Sequence, residues 1–315
     1  MINYNPHEWR SHLFDIRGSM LPEIIGRVTT CVVWAAIITA THQLLPQVWP
    51  GFSLATGATA HTLVGAALSL LLVFRTNSSY DRFWEGRTLW GALVNNCRNG
   101  ARQLLTLLHC PEPEREEMRA LQVRSHYLLI AFANALRHHL RDSDPAGDLE
   151  ALLLPSDMEH LREQRNVPLA IVQLLGQEFV KARRRGWLND LHVPLVDNLL
   201  TDLTNIQGGC ERIKNTPVPY TFGVLSHRTV AFFCFFLPFG IVDDVKAYTP
   251  FVTFFVAYAF FGLDALGAEV EEPFGTDPHD LPLSALCRTI EINLRQLLNE
   301  REIPPFLAPV ECILH

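Results

Sequence analysis

The sequence has little positive charge for its length. It contains 26 Lys and Arg residues against 33 Asp and Glu, which gives a formal net charge of −7 over 315 residues. A protein surface that binds nucleic acid needs a basic patch or stripe to neutralise phosphates, and this composition does not favour one. The charge balance therefore argues against nucleic acid as a partner.

The sequence also lacks cysteines at the spacing of paired metal ligands. Its seven cysteines are scattered, and all fall in apolar segments or in segments predicted to be cytoplasmic, where disulfides are disfavoured. We expect free thiols, no metal centre and no cofactor. The seven are Cys31, Cys97, Cys110, Cys210, Cys234, Cys287 and Cys312.

Patterns typical of enzymes and of β-sheets are missing as well. There is no Ser-His-Asp pattern, no phosphate loop and no pair of catalytic carboxylates that can be assigned to a common cavity. No alternation typical of strands competes with the helical periodicities. The first twenty residues include Trp9, Arg10 and Asp15 and contain no apolar stretch of a cleavable signal. The sequence therefore predicts an all-α protein that is not an enzyme.

Long apolar segments are the main feature that is present. The mean hydropathy of +0.12 is high for a soluble chain of this size. Ala55 to Phe74 contains no charged residue, and at ~1.5 Å per residue this window covers the ~30 Å hydrocarbon core of a bilayer. Similar windows predict four membrane-spanning helices, at about 28–46, 55–75, 219–242 and 247–264.

The distribution of Lys and Arg predicts the orientation of these spans. Arg17 and Arg27 precede the first span, Arg75 and Arg82 follow the second, and only Lys246 lies between the third and fourth. Because short positively charged segments stay on the cytoplasmic side, both termini and the polar segment 85–214 are predicted to be cytoplasmic. That segment has helical periodicity over Leu121–Leu140 and again over Leu188–Ile206.

Two stripes of residues run along the second span. Small or polar residues recur every four positions on one face and allow another helix to approach closely. Apolar residues recur at the same interval about 100° away around the helix, and they would either line a pore as stacked rings or face lipid. The first stripe is Gly57, His61, Gly65 and Ser69, and the second is Ala66, Leu70 and Phe74.

Three sequence blocks, in this order, resemble the bacterial members of the bestrophin family. The first is Arg75-Thr-Asn-Ser-Ser-Tyr-Asp-Arg-Phe-Trp-Glu-Gly-Arg87. The second is Gly209-Cys-Glu-Arg-Ile-Lys-Asn-Thr-Pro-Val-Pro219, followed by His227 and Arg228. The third is Glu269-Val-Glu-Glu-Pro-Phe-Gly-Thr-Asp277, followed by Asp280-Leu-Pro-Leu283. Together the resemblance covers nearly the whole chain.

The resemblance implies a homopentameric ion channel in a bacterial inner membrane, with residues 1–315 forming a single channel domain. Such a channel has an apolar neck in the membrane, matched here by Ala66, Leu70 and Phe74, and a second constriction at the cytoplasmic end. Counting back from Gly209 places that constriction at His192. The alternative is a different register, in which Leu191 or Leu195 faces the pore and His192 packs between helices.

Two further expectations concern ions. Animal bestrophins carry a run of acidic residues that completes a calcium site, whereas Thr276, Pro278 and His279 interrupt the run here, so no calcium ligand set is predicted. Asp243 and Asp244 lie in the predicted outer loop, and in a pentamer they would form an acidic outer mouth that favours cations. The family includes both cation and anion channels, so an anion channel of the same architecture remains the alternative.

Two rival functions remain open. A secondary transporter would need inverted repeats or broken helices at the middle of the membrane, and no repeat is found. A non-conducting membrane scaffold that binds a partner through its cytoplasmic helices would need no pore.

Overall fold

The computed structural model describes residues 18–48, 57–310 and 313–314. Arg10, Arg17, Cys312 and the start of the second predicted span, 55–56, lie outside these residues. The six remaining cysteines are free thiols. The described residues contain helices and no named strand. The helices are α1 (Leu21–Val48), α2 (Ala58–Thr106), α3 (Arg115–Leu140), α4 (Ala146–Glu150), α5 (Pro155–Arg162), α6 (Val167–Arg184), α7 (Val193–Asn215), α8 (Tyr220–Val245), α9 (Thr249–Glu269) and α10 (Leu283–Leu297).

The described chain divides into two compact units, each of which is considered separately. The apolar unit comprises 18–48, 57–83 and 217–272, and the polar unit comprises 84–216, 273–310 and 313–314. Three stretches are long and apolar enough to cross a membrane: Leu21–Leu44, Ala58–Thr106 and Tyr220–Glu269. The third consists of α8 and α9 joined by a 3-10 turn at Lys246–Tyr248.

The apolar unit is a bundle of α1, the first half of α2, α8 and α9. His227 contacts Asp264 and Phe233 packs edge-on to Phe260, so α8 and α9 run antiparallel. The Trp34 ring of α1 stacks on Phe235, and its indole N–H donates to the Phe235 carbonyl at 3.0 Å, in the turn that precedes Pro238 inside α8. The core of the bundle is Ile24, Val28, Leu68, Leu72, Val230, Phe233, Cys234, Leu237, Ala257, Phe261 and Ala265.

The polar unit is organised around α3, the most buried helix in it. Leu128, Leu129 and Phe132 are buried there, which confirms the predicted helix over Leu121–Leu140. Arg124 donates to both carboxylate oxygens of Asp157 on α5, at 2.8 and 3.0 Å, and to Glu178 on α6 at 2.9 Å. A two-pronged arginine–carboxylate contact fixes orientation as well as distance, so Arg124 holds α3, α5 and α6 in register.

The second helix of the polar segment begins later than its periodicity predicts. Leu188 and Leu191 lie ahead of α7, whose first residue is Val193, and the segment Asp190–His192 is a 3-10 turn. Asn189 accepts the N–H of Leu191 at 2.9 Å, and Pro194 stands in the first turn of α7, where its missing N–H costs nothing. These start signals outweigh the leucine spacing.

Candidate functional site

The stripe of Ala66, Leu70 and Phe74 lies on an exposed face of α2. Leu70 is 57% exposed and Phe74 is 58% exposed, and Ala66 is exposed one turn earlier. Burial of large apolar side chains is favourable, so a row of them left uncovered by its own chain marks a face that meets lipid, another subunit or a pore.

The small-residue stripe of the same helix contacts α8. An added Cβ at Gly65 would lie 3.1 Å from the Phe233 ring, and one at Gly240 would collide with the His61 ring. The close helix approach predicted from this stripe is therefore confirmed at Gly65 and His61. The His61 ring also lies 3.3 Å from the Gly57 carbonyl, so this histidine is accommodated at a helix contact.

A buried charged cluster follows Phe74 directly. Arg75 forms an ion pair with Asp264 of α9, and their side chains are only 3% and 1% exposed. His227 of α8 contacts the second carboxylate oxygen of Asp264. Gly223 and Gly267 flank Arg75, and an added Cβ on either would lie within about 4 Å of its side chain. A charge buried among apolar helices must be paired, which explains why the three helices converge here.

This cluster fixes the rotation of α2 beside the exposed stripe. Because Arg75 points into the bundle toward Asp264, the preceding residue Phe74 points about 100° away from it. The spacing of Arg75 and Asp264 along the chain did not predict this pair. A signal was available, because Arg75 and Asp264 are the last residues of two predicted spans that contain no other Asp, Glu, Lys or Arg.

Asp243 and Asp244 lie in the last turn of α8, which ends at Val245, and not in a loop as predicted. The Nε2 atom of His42 lies 3.1 Å from a carboxylate oxygen of Asp243. When His42 is protonated it offsets one of the two acidic charges, which weakens the argument for a cation-attracting mouth.

The structure places the predicted constriction residue His192 at the end of the 3-10 turn that precedes α7. Leu191 is 82% exposed, whereas His192 is half-buried, and its Nδ1 atom is buried without a hydrogen-bond partner among the described residues. Counting back from Gly209 without gaps fixed a position in the sequence and carried no information on the helix geometry there. A 3-10 turn has three residues per turn, so the direction in which each side chain points is shifted before Val193.

The segment that the resemblance matches to the calcium site of animal bestrophins forms a turn held by hydrogen bonds within it. Asp280 is buried, and one of its carboxylate oxygens accepts the Asp277 N–H at 2.7 Å. Arg141 donates to the Phe274 carbonyl at 3.1 Å and also braces this turn. Burial raises the pKa of the Asp280 carboxyl to about 6. Among the described residues, no group of three or more His, Cys, Asp or Glu side chains could hold a metal ion.

Asp280→Asn should stabilise the protein increasingly as the pH rises. The pKa of Asp280 is about 6 in the folded state and has its ordinary value of 3.8 in the unfolded state. The folded state therefore loses stability relative to the unfolded state as the pH rises through this interval. The neutral amide avoids that loss and its oxygen still accepts the Asp277 N–H. We expect the stability difference between variant and wild type to grow by about 2 kcal/mol between about pH 4 and pH 7. Thermal unfolding of the detergent-solubilised protein at several pH values measures it.

Asp202→Asn, at an exposed position on α7, is the matched control and should give a difference that does not vary with pH. A stability difference for Asp280→Asn that also does not vary with pH would show that folding does not raise the pKa of Asp280.

The fold and its apolar helices define an α-helical membrane protein. Residues 1–296 match the Bacterial/Fungal Bestrophin protein family. The chain belongs to this family of membrane ion channels, as the three sequence blocks predicted.

Named relatives and solved structures agree with this assignment. The chain is 40% identical over 297 residues to a voltage-dependent anion channel-forming protein of Ralstonia nicotianae, covering 94% of each chain. It is 34% identical over 309 residues to the protein of the same name in Escherichia coli, covering 98% of each. A crystal structure of a bacterial bestrophin homologue from Klebsiella pneumoniae with a single mutation matches 88% of this chain and 100% of that chain, with a TM-score of 0.81 and 36% identity.

Proposed function

We propose that the protein is a homopentameric channel that conducts small monovalent anions passively through an axial pore. The observation that carries this proposal is the exposed stripe of Ala66, Leu70 and Phe74, whose rotation is held by the buried Arg75–Asp264 pair. Five copies of this stripe around an axis would form three stacked rings. Apolar rings of this kind gate ion flow by excluding water.

Four spanning helices per protomer fit this arrangement. α1, the first half of α2, α8 and α9 pack in one bundle, and Lys246–Tyr248 is a tight turn between the last two. With both termini and the polar segment in the cytoplasm, the protein is a multi-pass protein of the bacterial inner membrane, and residues 1–315 act as one channel domain. The excess of Lys and Arg on the proposed cytoplasmic side supports this orientation.

The cytoplasmic constriction is proposed to lie at the 3-10 turn Asp190–His192. The side chain of Leu191 is largely exposed, which favours Leu191 over His192 as the residue that projects into the pore. An aliphatic ring would form a second dewetting barrier, whereas a histidine ring would carry charge at acidic pH.

Anion selectivity replaces the cation preference inferred from Asp243 and Asp244. The relatives from Ralstonia and Escherichia are named anion channel-forming proteins. When His42 is protonated, its contact with Asp243 also offsets part of the charge on which the cation preference rested. A non-conducting scaffold remains the functional alternative and is tested by the same experiment.

Single-channel recording of the purified protein in planar bilayers under a KCl gradient tests this proposal. We expect discrete current steps with a reversal potential near the chloride equilibrium value. The double variant Asp243→Asn with Asp244→Asn is the matched control and should reverse at the same potential, because the proposal places selectivity elsewhere.

Two outcomes would contradict the proposal. A reversal near the potassium value, shifted toward zero in the double variant, would restore the acidic mouth and cation selectivity. No current from preparations verified as pentamers would favour the scaffold.

A further inference from the structure

The polar unit contains a small cavity lined by arginines, which we call the arginine cavity. Its volume is about 180 Å³. At about 30 Å³ per water molecule it holds roughly six waters, enough for a ligand of a few heavy atoms. Its charged lining residues are Arg137 of α3, Asp148 of α4, and Arg288, Glu291 and Arg295 of α10.

The lining has an excess of positive charge. Three arginines face two carboxylates, which leaves one net positive charge (3 − 2 = +1). Asp148 is shared, because Arg137 and Nε2 of His138 both contact its Oδ2 atom, the histidine at 2.8 Å. Nearby, burial and the charge of Arg137 lower the pKa of Arg141, as expected where cations are crowded.

Arg288 of α10 is only partly neutralised. It shares the carboxylate of Glu291 with Arg295, at 3.4 and 2.8 Å respectively, and Arg295 also lies 3.7 Å from a carboxylate oxygen of Glu300. The Nε atom of Arg295 is buried and has no hydrogen-bond partner among the residues that the structure describes. A buried donor without an acceptor is costly, so an additional acceptor here would be stabilising.

Neutral groups complete the cavity. Ser284 supplies a hydroxyl and Asn134 an amide, and both line the cavity. Leu307, from the irregular C-terminal segment, also lines the cavity and is itself partly exposed. The wall therefore combines cationic and neutral hydrogen-bond donors with one apolar side chain. Because Leu307 lies on an irregular segment, it can be substituted without disturbing a helix.

We propose that the arginine cavity binds a small oxyanion of the phosphate class. Guanidinium groups present paired N–H donors that match two oxygens of a phosphate. They therefore bind a phosphate more specifically than they bind a spherical anion such as chloride. The hydroxyl of Ser284 provides a further donor. This site is independent of ion conduction, and it would connect α3, α4, α10 and the C-terminal segment through one ligand.

Isothermal titration calorimetry of inorganic phosphate into the full-length detergent-solubilised protein tests the proposal, at constant ionic strength set with chloride. The wild type should bind phosphate saturably. Arg288→Gln should weaken binding about tenfold, because one charge-assisted contact is lost. The matched control is Arg162→Gln, which removes an exposed arginine at the end of α5 that is ion-paired with Glu150 of α4. This variant should bind phosphate as the wild type does.

A second pair of variants leaves the helices untouched. Leu307→Asp adds a carboxylate to the cavity wall and should also weaken phosphate binding about tenfold, whereas the neutral Leu307→Asn should change it little. Absence of saturable phosphate binding would overturn the proposal. So would an equal effect of chloride, or equal losses in Arg288→Gln and Arg162→Gln, since each indicates non-specific charge screening.

Discussion

Replacing Asp264 with Ala should destabilise the protein by about 3–5 kcal/mol, because the guanidinium of Arg75 then remains buried without its partner. The two side chains are almost completely buried among α2, α8 and α9, so water cannot take over the lost contact. His227 would also lose the carboxylate oxygen that it contacts. Thermal unfolding of the detergent-solubilised protein, followed by the loss of the monodisperse peak, measures the change.

Two variants distinguish the loss of this ion pair from other causes. Asp243→Ala removes an exposed carboxylate that is paired with His42, and should cost no more than about 1 kcal/mol. The double variant Arg75→Met with Asp264→Leu removes both charges and should recover most of the loss, because a buried ion pair replaced by apolar groups of similar size is often neutral. A loss in Asp264→Ala no larger than in Asp243→Ala would show that Arg75 is not confined to the bundle.

Replacing Leu70 and Phe74 together with Ala should raise the single-channel conductance several-fold. In the proposed pentamer ten bulky apolar side chains would leave the neck, and a wider apolar ring excludes water less strongly. Planar-bilayer recording of correctly assembled protein gives the comparison. The large expected effect follows from the number of copies, since each substitution acts five times around one axis.

The same helix offers a control residue on another exposed face. Val64 is an exposed apolar residue of α2 that points about 120° from Leu70 and about 80° from Phe74. Its replacement with Ala should leave conductance unchanged. A change in Val64→Ala as large as in the double variant, or no change in the double variant, would remove Leu70 and Phe74 from the pore.

Much of the helical organisation could be predicted from the sequence. The charge-free window of 55–74 falls largely in α2, and the start of α8 at Tyr220 agrees with the predicted start near 219. The fourth predicted span ended at about 264, whereas α9 continues to Glu269. Its pairing with Arg75 neutralises Asp264, so this charge does not end the helix.

The constriction shows why register could not be predicted in the same way. Leucine spacing indicated a helix from Leu188, but Asn189 and Pro194 start α7 only at Val193. Local start signals of this kind compete with periodicity, and a single 3-10 turn changes which side chain projects. The choice between Leu191 and His192 depended on that turn.

The sequence by itself determined the helical class, the long apolar stretches and the family. These depend on local properties, since a helix satisfies its own backbone hydrogen bonds and an apolar stretch partitions into lipid according to its own composition. Only the tertiary structure decided the pairing of Arg75 with Asp264, which are 189 residues apart, and the convergence of Arg137 with Arg288. Contacts between distant segments depend on how the helices pack, and residue spacing along the chain carries no direct record of that packing.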